Sequence, residues 1–315
     1  MKIARIQHDG APVTAIVDGD TVRRLPGVSV LELLAAEPDQ RDRLAGRATE
    51  ELALADARLL APIVPPSIRD FSVFEQHVEG AQMLFAGPDA TVAEAWYERP
   101  AFYFSNPSSL FGPGDEIAIP PECELLDLEL EVGAVIGRTG RNVSVAEAGS
   151  YIAGYTLLND WSARDIAARE TRLPFGFHKT KDFANTLGPW IVTADELEPH
   201  RSGDRLDLAM KASINGKPLN DGDTLASMAW SYEELVAFSA QGATIAAGDV
   251  IASGTCGNGC LMELWGRAQR HEPPPLKPGD EVTIEVEAIG TLTNTIVGTD
   301  AAPLNLPPAR RRVKA

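Results

Sequence analysis

Apolar and polar positions alternate along this chain in short runs, and the period of alternation changes after the first sixty residues. Runs 2–6 and 13–17 alternate with period two and meet at turn residues, which predicts two strands. Over 30–45 the apolar positions, Leu31, Leu33, Leu34 and Leu44 among them, take helical spacing. Pro38 divides that stretch into two short helices, because proline has no amide proton for a helix interior. Three prolines within 62–66 mark a linker. Beyond it, extended segments at 102–104, 116–119, 125–136, 151–158, 189–193, 209–214, 250–253 and 281–286 are separated by Gly/Pro turns. Helices are expected over 73–85, 161–170 and 232–240. The order is not a regular βαβ alternation, so a β-rich α+β fold is predicted. Residues 1–65 would form a small N-terminal domain and 66–315 the larger one.

Composition narrows the function. A chain of 315 residues with 44% hydrophobic content can bury a real core. A formal net charge of −17 disfavours nucleic acid and anionic membrane surfaces as partners. The opening segment has no apolar run after a basic stretch, and no run reaches the roughly 18 apolar residues of a membrane span. Cys123, Cys256 and Cys260 are an odd, small set, as expected of reduced thiols in a cytoplasmic protein. Cys256 and Cys260 lack a second Cys/His pair to complete a zinc site. The glycines of GTCGNG lack the Lys-Ser/Thr ending of a phosphate loop. The basic tail, 309–315, is expected to fray.

Candidate chemistry centres on LLDLELEVGAVIG, residues 125–137. Read as one strand, it puts Asp127, Glu129 and Glu131 on one face and Leu128, Leu130 and Val132 on the other. An acidic solvent face and a cation site are both open readings; the apolar continuation GAVIG points to burial. Oxygen-only ligands select magnesium, manganese or calcium over zinc. Asp160 follows an apolar strand and opens the helix predicted over 161–170, and Asp70 closes the linker. Each is also read as a cap or turn residue, and together with the strand they would complete a four-carboxylate cage.

Four blocks resemble the fumarylacetoacetate hydrolase family, over roughly residues 62–298: DFSVFEQH (70–77), LDLELEVGAVIG (126–137), GYTLLNDWSARDI (154–166) and KDFANTLGPW (181–190). The resemblance implies a mixed β-sandwich roll and a homodimer. It implies Asp70, Glu129, Glu131 and Asp160 as ligands of a divalent metal, magnesium foremost, with manganese or calcium as alternatives. It implies His77 as catalytic base, Arg164 and Lys181 as active-site cations, and Tyr103 and Thr255 as substrate contacts. In SGTCGNGCLMELW (253–265), Glu263 aligns with the residue that orients the base; Gly80 stands where smaller relatives carry that glutamate, and Glu79 is a reserve. Ala86, Ala167 and Thr171 depart from the founding enzyme's arginine, glutamine and tyrosine.

The implied activity is hydrolysis of a carbon–carbon bond in a β-diketo acid of the acylpyruvate or fumarylacetoacetate type. A neutral imidazole, oriented by Glu263, can take a proton from water. Alternatives are decarboxylation, isomerisation or hydration of a 2-oxo acid on the same metal site, or a non-catalytic binding protein. The partner in each case is a small diketo or oxo acid.

Overall fold

A computed structural model describes residues 1–173, 175–219 and 222–311. The large sheet runs, neighbour by neighbour, through Thr49–Ala53, Thr21–Arg24, Ala11–Asp18, Lys2–His8, Asn185–Thr193, Ile152–Asp160, Leu130–Ile136, Val250–Ala252, Ile68–Phe71 and Phe102–Ser105. Along this path only Val250–Ala252 and Ile68–Phe71 pair in parallel. The smaller sheet runs Lys217–Pro218, Ala209–Ile214, Glu281–Val286, Gly290–Val297 and Glu116–Ala118. This is the expected β-rich α+β roll with its small N-terminal domain, whose first strand joins the large sheet through Lys2–Val192 and Ile3–Ile191 pairing.

Side-chain alternation sorts the chemistry of the large sheet. Leu130, Val132, Ala134 and Ile136 enter a core shared with Ile284, Leu292 and Ile296 of the smaller sheet. Val135 faces the other way, into a second core with Ile68, Leu158 and Val250. Leu33 and Leu34, from the helix Val30–Ala35, belong to that second core. Two residues further along the same face, Ile68 gives way to Asp70 and Leu158 to Asp160; four residues from Val135 lies Glu131. One face is therefore apolar at one end and acidic at the other.

Several elements differ from the sequence reading. The stretch 125–136 is not one strand: Leu126–Asp127 pairs with Ser162–Ala163, and Leu130–Ile136 lies in the large sheet. The reason is Asp127, whose carboxylate accepts hydrogen bonds from the amides of Leu128, Leu261 and Met262 at 2.8, 2.7 and 3.0 Å. It serves a helix start instead of sharing a face with Glu131. The helix expected over 161–170 begins only at Arg164, so Asp160 ends its strand and opens no helix. The proline-rich stretch 62–66 is coil but packed, with Pro62, Ile63 and Pro65 buried. The two N-terminal helices, Val30–Ala35 and Pro38–Ala45, part at Pro38 as expected. In the tail, 309–311 have no regular structure and 312–315 lie outside the described residues.

Candidate active site

Asp70, Glu131 and Asp160 are buried, and their ligand oxygens lie within 4.8 Å of one another. One oxygen of each (Asp70 Oδ1, Glu131 Oε2, Asp160 Oδ1) has no hydrogen-bond partner among the described residues. Buried acceptors without partners are costly, and three converging ones are costlier still. Burial pushes the Asp70 and Glu131 carboxyls well above the usual range, and the neighbouring acids add to it. Asp160 is raised by burial too, although Lys181 opposes the shift. Three hard oxygens with nothing else to bind fit a divalent cation such as magnesium, manganese or calcium.

The permanent cations sit beside this group. Lys181 Nζ bonds Glu129 Oε2 and reaches Asp160 Oδ2 at 2.6 Å. Arg164 donates to Asp127 Oδ2 at 2.9 Å and to Glu129 Oε1 at 2.7 Å. Burial alone would raise Glu129, but Lys181 and Arg164 outweigh it and hold its carboxyl well below the usual range. Glu129 thus reaches the cluster through Lys181 and stands outside the close trio. Five buried carboxylates face two permanent cations here, so the site is short of positive charge. Tyr103 bridges two of the acids, its hydroxyl within hydrogen-bond distance of both Asp70 Oδ2, at 2.9 Å, and Asp160 Oδ2, with one proton to share between them. Thr255 Oγ1 lies 3.4 Å from Glu131 Oε1.

Two crossing helices bring His77 and Glu263 together. His77 lies on Glu75–Ala86 and Glu263 on Leu261–Ala268. At their crossing a Cβ on Gly266 would stand 2.0 Å from the Gly80 carbonyl oxygen, so the backbones can approach this closely only with glycine there. The His77 Nδ1–H then donates to Glu263 Oε1 at 2.8 Å, and Glu263 Oε2 accepts from the Asn258 amide at 2.7 Å. That fixes the tautomer and leaves Nε2 for a substrate. Glu79, the reserve, pairs with Arg267 on the surface. Cys260 packs behind the pair, 3.7 Å from His77 Nδ1. His77, Cys260 and Glu263 are close enough to share an ion, but burial keeps the thiol protonated and Nδ1 is spent on Glu263.

One cavity of about 430 Å³ is lined by Asp70, Glu129, Glu131, His77, Arg164 and Lys181, and also by Tyr103 and Thr255. Asp160 and Glu263 stand directly behind it, bonded to Lys181 and His77. Of the departures, Ala167 and Thr171 line the cavity, whereas Ala86 ends its helix outside the lining. Sequence reasoning put Asp127 on one face with Glu129 and Glu131 but missed its role, which is to hold Arg164 and accept from the first amides of the Glu263 helix. It also missed Glu170, which accepts from the amides of His178 and Lys179 at 2.9 and 2.7 Å and so anchors the segment leading to Lys181.

Residues 67–297 match the family described as fumarylacetoacetate (FAA) hydrolase C-terminal, and residues 1–62 match the one described as Rv2993c-like, N-terminal. A human mitochondrial oxaloacetate tautomerase is 34% identical over 202 residues, 64% of this chain; the chain spans 60% of that relative's length. A fumarylacetoacetase of Oryza sativa is 28% identical, with 85% of this chain and 74% of the relative covered. Among solved structures, a 5-carboxymethyl-2-hydroxymuconate delta-isomerase from Mycobacterium smegmatis superposes with a TM-score of 0.69 at 25% identity, over 95% of this chain and all of the other.

Proposed function

The chain belongs to the fumarylacetoacetate hydrolase family, and from that premise we propose that it is a divalent-metal-dependent hydrolase of the carbon–carbon bond in an acylpyruvate-like β-diketo acid. The observation that carries this reading is the His77–Glu263 pair, 2.8 Å apart, opening on the cavity that also holds the carboxylates. Simple metal-assisted loss of carbon dioxide needs no base; activation of water does.

Asp70, Glu131 and Asp160, with Glu129 as the fourth carboxylate, would hold a magnesium ion. When bound, that ion would supply Lewis-acid polarisation of the substrate's carbonyl oxygens. His77 Nε2 takes a proton from water while Glu263 steadies the imidazolium that forms. The water oxygen bonds to the acyl carbon, C4. The C3–C4 bond then breaks with its electron pair moving to C3, and His77 returns its proton to C3. The products are pyruvate and the acyl carboxylate, whose acid proton goes to solvent. Lys181 and Arg164 hold Glu129 ionised throughout, and Tyr103 keeps Asp70 and Asp160 at a fixed separation.

A second reading has a specific basis. One relative is named an oxaloacetate tautomerase and one similar solved structure a delta-isomerase, both names of proton-moving reactions. His77 alone could shuttle a proton in a 2-oxo acid without admitting water, and decarboxylation or hydration would use the same acids. The test is to strip the protein of metal, restore magnesium or manganese, and identify by NMR the products of acetylpyruvate and oxaloacetate with wild type and His77→Ala. Metal-dependent pyruvate and acetate, lost in His77→Ala, support hydrolysis. Turnover of oxaloacetate alone replaces it with the second reading.

A further inference from the structure

The cavity has two chemistries. Its floor is the acid group with His77; its walls are Val78, Ala81, Phe85, Phe102, Phe177 and Met262. Both cations that reach it are already engaged: Lys181 with Glu129 and Asp160, Arg164 with Asp127 and Glu129. Among the described lining residues no other lysine or arginine is present to receive a second carboxylate. The polar wall groups, Ser72, Gln82 and Thr171, are neutral. Of the lining, Phe85 and Phe177 are 49% and 36% exposed; on the same segment as Phe177, Leu173 and Phe175 are more exposed still, with Arg172 exposed between Thr171 and Leu173 and outside the lining. Large apolar side chains left in water around a concave site mark a surface that gains by taking an apolar ligand.

We infer that the acyl end of the substrate is apolar, an alkyl or aryl group carried by a monocarboxylate 2,4-dioxo acid, and that Phe85 and Phe177 select it. This rests on the acylpyruvate reading above. A 2-oxo acid end directed to the floor leaves the acyl group against the phenylalanine walls. A second carboxylate there would be desolvated with no partner, in a protein whose net charge is −17. Each methylene that the wall covers should instead tighten binding by about three- to four-fold until the cavity is filled.

The test compares kcat/KM of the magnesium-loaded enzyme for acetyl-, pentanoyl-, benzoyl- and succinylpyruvate. Pentanoylpyruvate is expected to exceed succinylpyruvate, its carboxylate-tipped counterpart, by about 30-fold or more. Phe177→Ala should lower kcat/KM for benzoylpyruvate about five-fold more than it lowers kcat/KM for acetylpyruvate. Succinylpyruvate equal to or better than pentanoylpyruvate overturns the inference. If no acylpyruvate is cleaved, the hydrolase reading fails separately. The inference is then decided by calorimetric binding of pentanoyl- and succinylpyruvate to magnesium-loaded His77→Ala protein. Tighter binding of pentanoylpyruvate upholds it; the reverse order, equal affinity or no binding of either overturns it.

Discussion

The two ends of one sheet face make the most instructive comparison in this molecule. Ile68 and Val135 at one end share a core with Leu33 and Leu34 of the N-terminal helix, and Leu158, opposite Glu131, lies at the boundary. Asp70, Asp160 and Glu131, on the same three strands, converge at the other end with unpartnered oxygens. Backbone and register are shared, so only side-chain chemistry differs. The apolar end gains from being closed; the acidic end is destabilising unless a cation shares the charge. Fold stability and function thus lie next to each other on the same strands, and each can be perturbed without the other.

The largest effect is expected at the acidic end from His77→Ala, which removes the proposed base and leaves the carboxylates. Steady-state assay should give a loss in kcat of about 10³-fold, within the usual span for a general base, with magnesium affinity by calorimetry unchanged. Loss of metal affinity would mean that His77 belongs to the cation site. Glu131→Gln should separate stability from function next. Magnesium affinity should fall about 100-fold, while the metal-free protein melts a few degrees higher because one mutually repelling acid is gone. A lower melting temperature would show that Glu131 is structural. At the apolar end, Leu33→Ala should cost about 2–5 kcal/mol in chemical denaturation with kcat unaltered. An equal change in kcat would join the two ends functionally.

A smaller effect follows from pH. Asp70 and Glu131 have folded-state pKa values raised above their ordinary ones, near 4 in an unfolded chain. Their contribution to stability is fully present below pH of about 4 and is lost as pH rises toward the raised values. The metal-free protein should therefore melt at progressively lower temperature as pH is raised above the ordinary carboxyl range. Saturating magnesium should flatten that slope, because the ion takes the place of the protons. A slope of the same size with and without magnesium would count against the cation site.

Much of this was legible in the sequence, and the exceptions have physical causes. Alternation, a local property, put Glu129 and Glu131 on one face, whereas Asp70, His77 and Asp160 were singled out through the resemblance carried by DFSVFEQH and NDWSARD. Glu263 could be named from its motif, but its helix, Leu261–Ala268, went unread, since it follows a glycine-rich turn and is only two turns long. The strand Gly290–Val297 went unread because threonines and an asparagine dilute its alternation, although Leu292, Asn294 and Ile296 are buried. Asp127 looked like a third acid of one face; whether it stays in a ladder depends on a helix start 134 residues away, which no local pattern encodes. The engagement of Arg164 and Lys181 by the protein's own acids is likewise a tertiary fact.

The central claim is that His77 and Glu263 activate water at a carbonyl beside the carboxylate group. The most direct measurement is turnover of benzoylpyruvate in ¹⁸O-water with magnesium, followed by mass spectrometry of both products. One label is expected in the benzoate carboxylate at every turnover, with equimolar pyruvate, and labelled benzoate is expected to form about 10³-fold more slowly with His77→Ala. Substrate recovered uncleaved, or pyruvate formed at the same rate in His77→Ala, would contradict the claim.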